Sequence, residues 1–178
     1  MNFFQFIFQD WKINKENTKG RIILLLFRIA NFSTRSRTYY YLCFLYRVFY
    51  KIMVEWFLTI EIPWNARIGK NLRLYHGQAL VLNKKVVIGD NCILRHSTTI
   101  GNKQLPDGSS SGSPSIGNNV DIGSNVCIIG DIYIMDNVQV GCGAVVTKNI
   151  SRDCIAVGNP AVEKQRAMNE IVEVKLDA

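Results

Sequence analysis

The two histidines of this 178-residue chain, His76 and His96, occupy matching places, each two residues after a leucine. A neutral imidazole can accept a proton from a hydroxyl group near physiological pH, so either side chain could act as a general base. A lone histidine is more often structural or on the surface. Two at matching positions indicate a reactive site, and both are therefore candidates for catalysis.

A carboxylate accompanies the first histidine. Glu61 lies fifteen residues before His76. A carboxylate on the second ring nitrogen of a histidine fixes its tautomer and stabilises the imidazolium that forms when it takes a proton. The spacing alone leaves open that Glu61 is only a surface charge.

An aliphatic residue recurs every six positions through most of the chain. The series reads Ile62, Ile68, Leu74 and Leu80, then Ile88, Leu94 and Ile100, then Ile116, Ile122, Ile128, Ile134, Val140 and Val146. This period matches neither a helix nor a two-residue strand alternation. Short strands joined by tight turns, three to each eighteen-residue coil, account for it. The repeat predicts a parallel β-helix over residues 60–162.

Two interruptions break the repeat. We place two extra residues at 84–87, and a polar loop at 102–115 reads QLPDGSSSGSPS over most of its length. The loop follows the histidine-bearing coils, which favours a functional role over a tolerated insertion. If the two extra residues bulge outward, the histidines stack one coil apart on one edge of the β-helix.

Residues 1–59 form a basic, apolar arm, with helices predicted at about Thr18–Asn31 and Arg37–Thr59. The arm holds nine Lys/Arg and three Asp/Glu, and therefore +6 of the net charge of +7. In the second helix, one polar stripe interrupts a wide apolar surface: Cys43, Arg47, Lys51 and Glu55. Charges at every turn make this helix a poor membrane span. Its apolar surface is expected either to pack within an oligomer or to lie in a bilayer interface.

The remaining features narrow the class of protein. The basic charge is confined to the arm, which argues against a nucleic-acid-binding core and for an acidic surface or partner. The five cysteines show no CxxC pairing, so reduced thiols in the cytoplasm are expected rather than a metal cluster or disulfide framework. Residues 1–11 do not fit a signal peptide. Residues 163–178 are expected to form a helical tail.

Several segments together resemble the hexapeptide-repeat acyltransferases. They are IGDNCILRHSTTIGN (88–102), SPSIGNNVDIGSNVCIIGDIYI (113–134), VGCGAVVTKNI (140–150) and GNPA (158–161). The similarity is greatest to serine O-acetyltransferases and to capsular or exopolysaccharide O-acetyltransferases of the colanic-acid type. It spans about residues 60–165 and implies a left-handed β-helix, although parallel crossovers are normally right-handed. It further implies homotrimers that bind acetyl-CoA between subunits.

The resemblance also assigns roles to individual residues. In serine acetyltransferases a carboxylate fifteen residues before a histidine forms the catalytic dyad, which corresponds to Glu61 and His76. The polysaccharide branch carries a histidine at the position of His96. Galactoside and maltose acetyltransferases imply a cofactor-binding set of Ser124, Cys142, Thr147 and Lys148. Arginines that follow in those enzymes are replaced here by Val162 and Gln165.

The acceptor positions depart from the serine acetyltransferases. Tyr75 replaces their aspartate before the catalytic histidine, and Gly112 and Ser113 replace their Arg-His pair. The groups expected to hold an amino-acid carboxylate are therefore missing. A hydroxyl of a saccharide, lipid-linked or nucleotide-linked, at the cytoplasmic face of the membrane is the expected acceptor, with serine as the alternative.

Two other functions known for β-helical proteins fit the sequence less well. A γ-type carbonic anhydrase binds zinc through three histidines, which two histidines per chain one coil apart do not match, so no metal is expected. A non-catalytic β-helical scaffold is disfavoured by the resemblance at Glu61, His76, Thr147 and Lys148.

Overall fold

The computed structural model describes residues 1–166, most of which form a parallel β-helix. The strands are β1 (Arg67–Ile68), β2 (Arg73–Tyr75), β3 (Val81–Leu82), β4 (Val87–Ile88), β5 (Ile93–Arg95), β6 (Thr99–Gly101), β7 (Ser115–Ile116), β8 (Asp121–Ile122), β9 (Cys127–Ile129), β10 (Tyr133–Ile134), β11 (Gln139–Val140), β12 (Val145–Val146), β13 (Cys154–Val157) and β14 (Val162–Gln165). Three sheets stack them in the orders β1-β4-β7-β10, β2-β5-β8-β11-β13-β14 and β3-β6-β9-β12. All pairings are parallel except β13 with β14, so three strands make one coil, as the repeat predicts.

The repeating aliphatic residues fill the interior of the coils. Leu74 pairs in register with Leu94, and Ile88 pairs with Ile116, and all four are buried. Burial of each such side chain contributes roughly 1.5–3 kcal/mol relative to leaving it in water. The apolar stack therefore holds the coils together, while backbone pairing sets their register.

One corner of the β-helix is built by a ladder of side-chain amides. The ladder runs from Asn71 to Asn91 (2.9 Å), Asn119 (3.1 Å), Asn137 (3.0 Å) and Asp153 (2.7 Å). All five residues have φ between 56° and 61°, in the left-handed region that asparagine and aspartate enter more readily than other non-glycine residues. The asparagines of the repeat thus supply both the turn conformation and the bonds between turns.

The two extra residues lie at the corner that carries His76, so their predicted place at 84–87 is wrong. Strand β2 pairs with β5 at a separation of twenty residues, whereas β3 pairs with β6 at eighteen. The insertion therefore falls between β2 and β3. Leu80 and Leu82 are both buried leucines, and it is Leu82 that takes the repeat position, paired with Ile100.

The long insertion joins β6 to β7. Sixteen residues separate the starts of these two strands, where six is usual. The loop folds back on itself through an antiparallel bridge between Gln104 and Ser110, and Lys103 N donates to Ser111 Oγ (2.9 Å). It leaves the coil after β6, the strand that follows the corner carrying His96.

The arm contains more elements than the sequence predicts. Its helices are α1 (Phe3–Ile7), α2 (Thr18–Phe32), a 3-10 turn (Ser33–Arg35), α3 (Arg37–Leu42), α4 (Phe44–Tyr50) and a π-helical segment (Lys51–Phe57). The single helix expected from Arg37 is thus divided. At the other end, the expected helical tail begins instead with β14, because its backbone pairs with β13. Residues 167–178 of that tail lie outside the described residues.

The predicted polar stripe does not face solvent along its whole length: Lys51 is exposed, whereas Arg47 is buried. Arg47 is 4% exposed, and its guanidinium donates to the Tyr40 carbonyl and to Ser33 Oγ. The large apolar side chains around it point outward instead. Tyr50 and Val54 are the fully buried apolar residues of this segment.

Polar side chains of the arm satisfy the open backbone edge of the first coil. Asn14 Nδ2 donates to the Leu72 carbonyl (2.8 Å), and Asn14 Oδ1 accepts from Leu74 N (3.1 Å). Asn17 Nδ2 donates to the Leu74 carbonyl (2.5 Å). A sheet edge left unpaired would expose backbone groups to solvent or to other chains. The arm therefore acts as the cap of the β-helix.

A buried ion pair anchors the cap. Arg28 Nε lies 2.7 Å from Asp10 Oδ2, and both side chains are at most 3% exposed. Arg28 also donates to the carbonyls of Ile68 (2.7 Å) and Gly69 (2.5 Å), while Asp10 accepts from Leu72 N (2.8 Å). Both charges are therefore hydrogen-bonded to each other and to the first coil.

Replacing Arg28 by alanine is expected to destabilise the protein by about 3–5 kcal/mol, because Asp10 is left as an uncompensated buried charge. Urea denaturation followed by circular dichroism measures the loss. Lys15→Ala is the control, since the Lys15–Glu16 pair is exposed and should contribute under about 1 kcal/mol. Equal, small losses for both variants would show that the Arg28 pair does not anchor the cap.

Candidate active site

The two histidines meet on one edge of the β-helix, as the sequence predicts. Each follows a residue of the registered pair Tyr75 and Arg95, at the ends of β2 and β5. Their ring centroids are 5.7 Å apart, with the planes at 75°, so the rings pack edge to face. Two imidazoles from successive coils thus form one site.

The histidines differ in their surroundings. His76 is exposed and has φ +65°, followed by Gly77 at +74°. A left-handed conformation costs a non-glycine residue roughly 1–2 kcal/mol, and such strain clusters at functional sites. His96 is half-buried, and its Nδ1 is buried without a hydrogen-bond partner among residues 1–166.

The amide of Gln78 ties the His76 corner to the arm. In the amide orientation that satisfies both neighbours, it donates to the His76 carbonyl (2.6 Å) and accepts from Lys19 Nζ (2.6 Å). Lys19 lies in the first turn of α2. The arm thus contacts the same corner that displaces His76 from the regular coil.

Glu61 lies at the start of the first coil but forms no hydrogen bond or ion pair with His76. It forms an isolated parallel bridge with Val81, and its side chain is exposed. Within residues 1–166 its carboxylate makes no hydrogen bond or ion pair. The pKa of Glu55 is raised mainly by burial and further by the negative charge of Glu61. The single chain therefore does not assemble the dyad.

Ser124 and Cys142 continue the histidine edge. Asn125 N donates to the His96 carbonyl (3.2 Å), and Gly143 N donates to the Ser124 carbonyl (2.9 Å). These bonds stack His96, Ser124 and Cys142 at one corner of three successive coils. Thr147 and Lys148 follow β12 and are exposed one face further round.

The thiol of Cys142 is polarised by its neighbour. Ser124 Oγ lies 3.5 Å from Cys142 Sγ, and this hydrogen bond is the main cause that lowers the pKa of the thiol. Of the five cysteines, Cys142 is the exposed one; the others are buried or half-buried. The edge therefore combines proton-accepting side chains at one end with a small, open, polar corner at the other.

Two arginines beside this edge were not singled out from the sequence. Arg73 Nη1 donates to Tyr75 Oη (3.2 Å), and the guanidinium of Arg95 lies 5.5 Å from the centre of the Tyr75 ring. Arg95 also forms an ion pair with Asp121 of β8. In the sequence these arginines are marked only by their outward positions on predicted strands. Charged residues usually occupy such positions, so the pattern does not distinguish them as functional.

The end of the long loop carries no cation. An added Cβ at Gly112 would lie 2.6 Å from Asp131 Oδ1, so Gly112 packs directly on a carboxylate. Ser113 Oγ donates to Asn83 Oδ1 (3.2 Å). Neither Gly112 nor Ser113 offers a positive charge to an amino-acid carboxylate.

Known proteins share both the sequence and this architecture. The chain is 36% identical over 157 residues to WcaB of Escherichia coli (strain K12), which is named as a colanic acid biosynthesis acetyltransferase; the match covers 86% of this chain and 95% of that protein. It is 30% identical over 138 residues to a serine acetyltransferase of Helicobacter pylori, covering 78% of this chain and 77% of that one. The chain belongs to the hexapeptide-repeat acyltransferase family. No protein-family model matches it.

A solved member of the family has the same fold. The soybean serine acetyltransferase apoenzyme superposes with a TM-score of 0.76 at 27% identity, covering 91% of this chain and 69% of that one. The β-helix of this hexapeptide-repeat acyltransferase is left-handed, as the resemblance implied. Residues 1–166 hold no group of three or more His, Cys, Asp or Glu side chains placed to bind a metal ion, which does not match a three-histidine zinc site.

Cys142 is expected to react with iodoacetamide faster near neutral pH than an ordinary exposed cysteine, because a lowered pKa leaves more thiolate at a given pH. Ser124→Ala removes the hydrogen bond that lowers this pKa, so the midpoint of the rate–pH profile should move to higher pH. Cys142→Ser, which should abolish the fast phase, assigns the signal. An unchanged profile in Ser124→Ala would show that Ser124 does not stabilise the thiolate.

Proposed function

We propose that this acetyl-CoA-dependent O-acetyltransferase transfers its acetyl group to a hydroxyl of a saccharide used in capsule or exopolysaccharide assembly. The observation that carries the proposal is the histidine pair, which shares one edge with the Ser124–Cys142 corner. The match to an acetyltransferase named for colanic acid biosynthesis, over most of both chains, supports the acceptor class.

His76 is the proposed general base. Its exposed imidazole takes the proton of the acceptor hydroxyl, whose oxygen then attacks the thioester carbonyl; the C–S bond breaks, an acetyl ester forms and CoA leaves as the thiol once the proton is returned. His96, on the next coil, packs against His76 and holds its ring in place. Alternatively, His96 itself takes the proton of the acceptor hydroxyl. Glu61 is proposed to stabilise the imidazolium in the assembled enzyme.

The small corner residues fit the pantetheine arm of acetyl-CoA. Ser124 and Cys142 leave backbone groups of the stacked corners open to its amides. Thr147 and the exposed Lys148 lie one face further round, where a cation can meet a phosphate. These four residues are the proposed cofactor-binding set.

A homotrimer completes the site. In one chain the histidine edge is open, and Glu61 has no partner within residues 1–166. A second β-helix placed against this edge by cyclic three-fold symmetry would supply the missing wall and three equivalent grooves.

Serine is the less suitable acceptor. The positions that hold its carboxylate in serine acetyltransferases carry Tyr75, Gly112 and Ser113, and Asp131 lies against the second of them. A saccharide hydroxyl needs no such ion pair.

His76→Ala is expected to lower kcat about 10²–10⁴-fold, the usual contribution of a general base, with little change in CoA binding. Thiol release from acetyl-CoA, followed with a panel of saccharides and with L-serine, measures this effect and the acceptor class together. Greater loss in His96→Ala than in His76→Ala would transfer the role of base to His96. Saturable formation of O-acetylserine, with no saccharide turned over, would replace the proposed acceptor.

The outer face of α3, α4 and the π-helical segment is proposed to rest on an anionic membrane. Its most exposed large apolar side chains are Tyr41 (65%), Leu42 (75%), Leu45 (78%), Trp56 (71%) and Phe57 (77%). Arg37 and Lys51 are exposed on the same segment. Among residues 1–166, no helix has the length and continuous apolar character needed to cross a bilayer. Contact in the plane of the interface fits this combination, and we place the enzyme at the cytoplasmic face.

Full-length protein is expected to float with anionic liposomes at low salt, and Leu45→Glu should weaken this because it puts a charge into the bilayer interface. Ile22→Glu on α2, an exposed apolar position outside the face, is the matched control. Deleting the arm is not a suitable comparison, since the arm caps the first coil. Light scattering should give the mass of a trimer for all three proteins. If Leu45→Glu breaks the trimer and the wild type does not float, the face is a subunit contact.

A further inference from the structure

Beside the histidine pair, the six-stranded sheet presents an aromatic ring between two guanidinium groups. Leu74 points into the core, so Arg73 and Tyr75 on either side of it point outward. The guanidiniums of Arg73 and Arg95 lie 5.8 Å and 5.5 Å from the centre of the Tyr75 ring. Tyr75 directly precedes His76, so this cluster adjoins the proposed base.

The two arginines differ in their charge balance. Arg95 is neutralised by Asp121, and it also donates to the Ile122 carbonyl (2.9 Å). Arg73 forms no ion pair within residues 1–166, and its recorded hydrogen bond is the one from Nη1 to Tyr75 Oη (3.2 Å). Most of its five N–H donors therefore remain available in a half-buried position, where a planar fork suits a carboxylate or a phosphate.

We propose that Arg73 and Tyr75 form an acceptor subsite that binds an anionic group, a carboxylate or a phosphate, on the saccharide. This inference rests on the proposed function and narrows its substrate to acidic or phosphorylated sugars. Arg73 lies three residues before His76, which limits the distance between their Cα atoms to about 10 Å. A sugar whose anionic group meets Arg73 can therefore present a hydroxyl to His76, while the Tyr75 hydroxyl helps to orient the ring.

Matched acceptors test the subsite: methyl glucoside as the neutral sugar, methyl glucuronide for the carboxylate and glucose 1-phosphate for the phosphate. The wild type is expected to show at least about tenfold higher kcat/KM for one anionic acceptor than for the neutral one, the usual worth of a hydrogen bond to a charged group. The preferred acceptor identifies the source of the charge. Calorimetric titration with the same three compounds measures binding without turnover.

Arg73→Ala is expected to raise KM, and the dissociation constant, for the anionic acceptor by about 10–100-fold. KM for acetyl-CoA should stay unchanged, and the loss with the neutral sugar should be several-fold smaller than with the anionic one. Arg73→Lys should recover part of the loss, because it keeps the charge without the fork. Arg67→Ala is the control, since Arg67 is an exposed outward arginine on β1, in a different sheet.

Four results would overturn the subsite. Equal losses for neutral and anionic sugars, or a raised KM for acetyl-CoA, would show that Arg73 only supports the local structure. A wild type that prefers the neutral sugar would refute the subsite and leave the saccharide acetyltransferase proposal standing. If only L-serine is acetylated, and calorimetry shows no binding of either anionic sugar, the subsite and the proposed function both fail.

Discussion

Every coil of this protein depends on backbone pairing with the coil above and the coil below. A coil at the end of the stack has one free edge. The backbone N–H and C=O groups of that edge need hydrogen-bond partners. The arm provides them at the first coil through Asp10, Asn14, Asn17 and Arg28. A segment that looks like an appendage in the sequence is therefore part of the structural unit.

The same constraint explains the geometry of the histidine site. The core pairs Leu74 with Leu94 and Leu82 with Ile100, so the coil cannot absorb two extra residues within a strand. It absorbs them at a corner, and the corner turns His76 into a left-handed conformation beside Gly77. The strain is held by pairing on both sides, and the two imidazoles are brought edge to face as a result.

In the mechanism we propose, the surfaces around the histidine pair have different roles in the acetyl transfer. Ser124 and Cys142, the small residues on the two coils after that of His96, leave room for the thin pantetheine chain with its amides. The outward side chains of β2 and β5 carry positive charge and an aromatic ring, which suit a polar acceptor. The apolar face of the arm, on α3, α4 and the π-helical segment, is separate from these side chains. The proposed membrane contact would therefore leave the site free to bind an acceptor held at the same membrane.

The sequence alone predicted the parallel β-helix and the family to which the chain belongs. A period of six over more than ten repeats has few structural solutions, and the motifs at Ser124 and Cys142 point to the acyltransferase family before any coordinates exist. The pairing of His76 with His96 also follows from counting, because eighteen residues per coil plus two extra residues equals their separation whichever corner holds the extra residues.

Only the tertiary structure decided where that insertion lies, because Leu80 and Leu82 are chemically equivalent for a buried position and only strand pairing separates them. It also decided that Arg47 is buried and its apolar neighbours exposed. A helix with one charged stripe can face the core either way, and here the Tyr40 carbonyl accepts a hydrogen bond from the Arg47 guanidinium. The cluster of Arg73, Tyr75 and Arg95 joins two coils. Contacts between coils depend on where side chains lie in space. The spacing of residues along one strand does not predict those positions.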